Sequence, residues 1–126
     1  MFETYLDYRY DPETKRHILL QDLVYVTKDG KRIVVPKGFT TDLDSVPRIP
    51  FVYSVAKGRA VPSAAVHDYL YYKYYNRKMC DDIFFEAMDS EEVESFHRYN
   101  IYYNIRAFGW IRFMTIQNSN KKRWSN

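Results

Sequence analysis

The sequence predicts an α+β fold: a small three-stranded antiparallel sheet, a long Pro-bounded loop, and then three helices. Three observations point there. Between Ile18 and Val35, β-branched and aromatic residues cluster on both sides of Asp29-Gly30, a dipeptide suited to the positive φ angles of tight hairpins. Pro36, Pro47, Pro50 and Pro62 then punctuate a stretch without helical or strand periodicity. From Ala64 onward, apolar residues recur at helical spacing.

Residues 3–10 alternate weakly and end at the turn signal Asp11-Pro12-Glu13-Thr14. Ile18 to Thr27 reads as the second strand and Arg32 to Val35 as the return strand, making a three-stranded meander. Pro36 closes it, because proline cannot donate to a ladder. Residues 36–62 are mostly loop, anchored by Phe39, Val46, Ile49, Phe51 and Val52. Ser63 is the expected N-cap of a first helix that runs to about Tyr75, with Ala64, Ala65, Leu70 and Tyr71 inward. A second helix is expected over about Met79 to Met88, with Met79, Ile83 and Phe84 inward. Asp89-Ser90 should cap a third, with Glu91 and Glu92 in its first turn, where carboxylates suit the helix dipole. That helix is expected to reach about Ile116, to pack through Val93, Phe96, Tyr99, Tyr103, Arg106 and Trp110, and to kink at Gly109. Residues 1–117 are thus read as one domain and 118–126 as a flexible basic tail.

Composition narrows the function classes. A chain of 126 residues can bury one core. Its net charge of +3 comes mainly from Lys121, Lys122 and Arg123, so specific nucleic-acid binding is not expected. The start lacks the basic and apolar regions of a signal peptide, and no apolar run is long enough to span a bilayer; host cytoplasm or a virion is the expected location. Cys80 is the one cysteine and reads as a core residue. Thirteen tyrosines suit wet clefts and interfaces, which keeps a protein partner or a homo-oligomer in view.

The chemistry concentrates in His67-Asp68-Tyr69-Leu70-Tyr71. On a helix, His67 and Tyr71 share a face, and Asp68 points toward a neighbouring element. A short connection lays the second helix antiparallel to the first, which can bring Asp81 to His67. A histidine held by one carboxylate with a second beside it is the arrangement of a tuned general base. Asp68 with loop carbonyls or Asp42 could hold a hard cation such as Ca²⁺. The same residues also serve architecture: the histidine can pack and donate to a carbonyl, Asp68 and Asp42 can pair with Arg48 or Arg77, and Asp81 can answer a helix dipole. His17 and His97 read as surface or core histidines.

Val35-Pro36-Lys37-Gly38-Phe39-Thr40-Thr41-Asp42-Leu43-Asp44-Ser45-Val46-Pro47-Arg48 resembles the VPxGFxTDxxSxPR loop of a protein family of unknown function, domain of unknown function 1353. His67–Tyr71 resembles its HDxLY helix, Asp81 to Phe84 its ADxxF-type helix, and Arg106, Phe108 and Gly109 its VRxFG-like stretch. Asp44 and Cys80 stand where the family usually has alanine. This resemblance implies a phage or prophage origin, and it marks Gly38, Thr41, Ser45, Pro47 and Arg48 as a site loop. It supplies no activity.

A shorter likeness does suggest one. Pro62-x-x-Ala65, His67-Asp68-x-x-Tyr71 and Asp81-x-x-Phe84 are similar to the catalytic helices of phospholipase A2, especially the disulfide-free domain of parvovirus capsids. That likeness implies His67 as general base, Asp81 as its orienting carboxylate, Tyr71 bonded to that carboxylate, and Asp68 as a Ca²⁺ ligand, with membrane lipid as substrate. The Gly-rich calcium loop of the secreted enzymes is absent; Gly38 and Thr41 to Val46 are its only substitutes. Two functions follow as expectations. One is a phage-encoded, hydrolase-like protein acting on an ester. The other is a non-enzymatic virion, tail-assembly or host-binding protein in which the same motif is structural.

Overall fold

A computed structural model describes residues 1–41 and 61–124. The fold is α+β: N-terminal antiparallel strands in small sheets, followed by three helices. The strands are β1 (Tyr8–Asp11), β2 (Arg16–Leu19), β3 (Leu23–Val26), β4 (Arg32–Val35) and β5 (Thr40–Thr41). The helices are α1 (Val61–Lys73), α2 (Arg77–Ser90) and α3 (Ser95–Trp124).

The single meander expected from the sequence is two sheets instead. β1, β2 and β5 form one antiparallel sheet in that order, and β3 pairs with β4 in another. The stretch read as one strand bends at Leu20 to Asp22, because backbone groups on both sides are claimed from elsewhere. Leu20 N–H donates to Asp7 O at 2.8 Å, and Asp22 O accepts from the Thr4 hydroxyl at 3.0 Å. The Asp29-Gly30 turn forms as expected, with Gly30 at φ 89° and Val24 opposite Val34. Gly38, also at φ 89°, supplies the positive angle of a second turn, closed by Phe39 N–H on Pro36 O at 3.0 Å. That turn swings Thr40–Thr41 back onto β2.

α1 is buried on nearly every side: Ala64, Ala65, Val66, Leu70 and Tyr71 are each at most 1% exposed. It packs on β3 and β4 through Leu23, Tyr25, Ile33 and Val35, and on the other two helices. Ser63 is not its N-cap. Ser63 lies inside the helix, and both its N–H (2.7 Å) and its hydroxyl donate to Glu91 Oε1.

α2 is longer than expected at both ends. Asn76 caps it by accepting Met79 N–H at 3.1 Å. It ends in a Schellman arrangement: Val93 N–H donates to Met88 O and Glu92 N–H to Asp89 O, both at 3.0 Å, with Glu92 left-handed at φ 62°. Met88 and Val93 pack together over it. Asp89 and Ser90 therefore belong to α2, and α3 starts only at Ser95.

The packed face of α3 is Ile101, Ile105 and Phe113 rather than the expected aromatic stripe. Phe96, Tyr99, Tyr103 and Trp110 are exposed. The aliphatic residues fit the groove over α1 and α2, while the larger rings take the opposite face. The helix is continuous through Gly109 and on past Ile116. No helix among the described residues is long and apolar enough to cross a membrane.

Candidate active site

Three helices converge on Asp81. It sits on the inner face of α2, four residues after Arg77, and is fully buried. From α1, His67 Nε2 lies 2.8 Å from Asp81 Oδ1, and the Tyr71 hydroxyl donates to the same oxygen at 2.5 Å. The i, i+4 spacing on α1 aims both side chains at one acceptor. The second oxygen, Oδ2, accepts from Arg106 Nη1 on α3 at 2.6 Å and from Arg77 Nη1 at 3.3 Å. Arg77 is itself held by the α3 carbonyls of Ile105 (3.0 Å) and Arg106 (3.1 Å).

Each acceptor site on Asp81 thus has a donor, so the carboxylate is ionised. Burial alone would raise its pKa, but the bonds from His67, Tyr71 and Arg106 outweigh that and hold it low. His67 is 1% exposed, and its ring stacks on Phe84 with centroids 4.5 Å apart and planes 17° apart. Burial pushes its pKa below the ordinary value of 6.5, against the pull of Asp81. The guanidinium groups of Arg106 and Arg77 already offset the carboxylate charge, so a neutral imidazole is sufficient. An ionised carboxylate only accepts, so the neutral ring carries its proton on Nε2. Nδ1 is then a lone-pair acceptor. It is buried and has no hydrogen-bond partner among the described residues. Tyr71, raised in pKa by burial and by its bond to Asp81, stays a phenol and a donor.

Asp68 faces the other way, as the spacing implied. Its Oδ1 accepts from Arg112 Nη2 on α3 at 2.5 Å. A guanidinium on that oxygen is a poor neighbour for a cation. Among the described residues no group of three or more His, Cys, Asp or Glu side chains could hold a metal ion. Asp42, Ser45, Pro47 and Arg48 lie outside the described residues, as does Asp44. Gly38 serves the turn before β5, and Thr41 is buried in β5. Cys80 is buried, with its thiol pushed up to about 12 by burial, and is an inert core residue. His17 sits between the rings of Tyr8 and Tyr10, and His97 pairs with Glu94 at 3.7 Å.

Residue-level reading of the sequence assigns neither Arg106 nor Arg77 to Asp81, giving the first to the packed stripe of α3 and the second to Asp68 or Asp42. It also leaves Gly109 and Arg112 outside the site. The signal was present in their spacing. Ile101, Ile105, Gly109 and Arg112 follow one another at intervals of four, four and three, on the face of α3 that meets α1 and α2.

Residues 17–105 match the family described as protein of unknown function, DUF1353. The match spans most of the chain, takes in His67 and Asp81, and ends one residue before Arg106; the chain belongs to this family. No curated protein and no solved structure matches it.

Proposed function

We propose that this member of the DUF1353 family is a phage-encoded hydrolase in which His67 is the general base, Asp81 orients it, and Tyr71 fixes Asp81. The observation that carries this reading is the difference between the two ring nitrogens of His67. Nε2 is bound to a carboxylate, while Nδ1 is left as a basic lone pair in a buried setting. A water at Nδ1 would give up its proton as its oxygen bonds to an acyl carbon. Asp81 would stabilise the imidazolium, which then returns the proton to the departing alkoxide as the ester C–O bond breaks. The lowered pKa of His67 keeps the ring in its basic form at neutral pH.

The local likeness to phospholipase helices supports a lipid or related envelope ester as substrate. No step is assigned to the Ca²⁺ that this likeness implies, because Asp68 Oδ1 is engaged by Arg112.

A second reading rests on burial. His67 and Asp81 are inaccessible, and their bonds tie α1, α2 and α3 together. The same cluster would then be the keystone of a non-enzymatic virion, tail-assembly or host-binding protein.

The test is hydrolysis of phospholipid vesicles and soluble aryl esters by the wild type and by His67→Asn. The hydrolase reading expects cleavage by the wild type and a loss of roughly 10²–10⁴-fold in the variant, with both folded by circular dichroism. A wild type inert on every ester, or a variant as active as the wild type, overturns it.

A further inference from the structure

α3 carries, on the side away from the core, a strip of Phe96, Tyr99, Tyr103, Ala107, Trp110 and Met114. The steps of three and four residues place them on one face of the helix, over about 27 Å of its length. The five large side chains are 43–63% exposed. We propose that this strip is the interface of a homodimer in which α3 of one copy packs antiparallel against α3 of a second. The inference is independent of the hydrolase reading.

Area is the first argument. A large aromatic side chain can bury ~150–250 Å². At half exposure the strip, with Ile111 on its flank, offers about 650 Å² per copy. A pair would bury about 1,300 Å², within the ~1,200–2,000 Å² range of specific interfaces. The strip is also ordered before any partner arrives: Tyr99 and Tyr103 stack at 6.1 Å, and Tyr99 leans on Phe85 at 5.0 Å. Ordered rings lose little further freedom on association.

Charge selects the partner and the direction. Between Tyr99 and Ser119, Arg106 and Arg112 are the charged residues, and their guanidinium groups turn inward to Asp81 and Asp68. A second copy therefore meets no like charge along the strip. A membrane-surface helix instead draws on Lys and Arg along its polar face. The ends are unlike each other. Exposed Glu92 and Glu94 lie just before the start of α3, where Asp89 at the end of α2 is offset by Arg98 at 3.0 Å, and the sequence puts Lys121, Lys122 and Arg123 at the finish of α3. Antiparallel pairing sets acidic start against basic finish and opposes the helix dipoles; parallel pairing stacks like on like. In the antiparallel register centred on Ile105, Tyr103 of each copy covers the small Ala107 of the other.

Sedimentation equilibrium of the full chain is the test. The wild type is expected to be a dimer in the micromolar range. Tyr103→Glu, at an exposed position, should weaken dimerisation at least ~30-fold with helicity unchanged. A short bis-maleimide should link Ala107→Cys dimers and leave Phe96→Cys unlinked, since the ends lie far apart in antiparallel pairing; buried Cys80 does not compete. A monomeric wild type overturns the proposal, whether or not that monomer floats with anionic vesicles or captures another protein. So does a Tyr103→Glu variant that dimerises undiminished, or linkage through Phe96→Cys.

Discussion

A Cβ placed on Gly109 would stand 2.9 Å from the Tyr71 hydroxyl, so α3 approaches α1 here as closely as an absent side chain permits. The same Cβ would come within 3.3 Å of Arg77 Nη1. Both groups are donors to Asp81. Gly109 is therefore a spacer that lets two helices deliver donors to one carboxylate, rather than the kink its composition suggests.

Gly109→Ala tests this directly. Alanine is the better helix former by about 0.8–1 kcal/mol, yet the contact must shift a phenol pinned to a buried acceptor. Overpacking of this kind costs about 1–3 kcal/mol, so a net loss of about 1 kcal/mol is expected in urea unfolding. Tyr71→Phe removes the clashing oxygen, and in that background the cost of Gly109→Ala should shrink. Equal costs in both backgrounds would show that the two positions are not coupled.

Acid should find His67. Its folded pKa lies below the unfolded value of 6.5, so the unfolded chain takes up the proton first. Stability is fully present above pH 6.5 and falls as pH drops through that value toward the folded pKa, at up to ~1.4 kcal/mol per pH unit. Urea midpoints of the wild type should decline below pH 6.5, and His67→Asn should lack that share of the decline. In any ester assay, the acid limb of the rate profile should lie below 6.5.

Asp81→Ala leaves His67, Tyr71, Arg77 and Arg106 without their shared acceptor. Breaking a buried ion pair costs about 3–5 kcal/mol. The Arg77 and Arg106 side chains are 20% and 30% exposed and can turn partly to water, so the low end, about 3 kcal/mol, is expected. Chemical denaturation that shows less than about 1 kcal/mol would deny Asp81 its place at the centre of the helical half.

Glu91 gives a prediction of opposite sign. Burial raises its pKa, while its bonds from Ser63 only partly compensate. Its contribution is most favourable below the unfolded pKa and is lost as pH rises through the folded one. Glu91→Gln keeps an acceptor for Ser63 N–H without the buried charge. It should equal or exceed wild-type stability at pH 7 and lose that advantage near pH 4. Glu91→Ala, which removes the acceptor, should lose about 1–2 kcal/mol at both. Thermal melts of the three proteins at the two pH values decide it.

Much of the helical half is legible in the chain. The i, i+4 step from His67 to Tyr71 and the short connection between α1 and α2 are local features, and they suffice to bring Asp81 within reach of His67. Size and hydrophobicity favour Phe96, Tyr103 and Trp110 as the packed face of α3, while the groove over α1 and α2 accepts Ile101 and Ile105. Local pattern makes Ser63 the N-cap of α1 and puts Glu91 in the first turn of α3, because the bond that joins them spans 28 residues and leaves no local trace.

By itself the sequence determined the α+β order, the hairpin at Gly30 and the helical spacing that lines up His67 with Tyr71. Each rests on φ preference or helical period, which a few neighbouring residues decide. Only the tertiary structure decided that Asp81 carries two arginines as well as the histidine, that Arg112 takes Asp68, and that Gly109 makes the room. Those are distances between helices, set by how side-chain volumes fill the space between them; helical spacing gives the face on which a residue lies, not the partner it meets there.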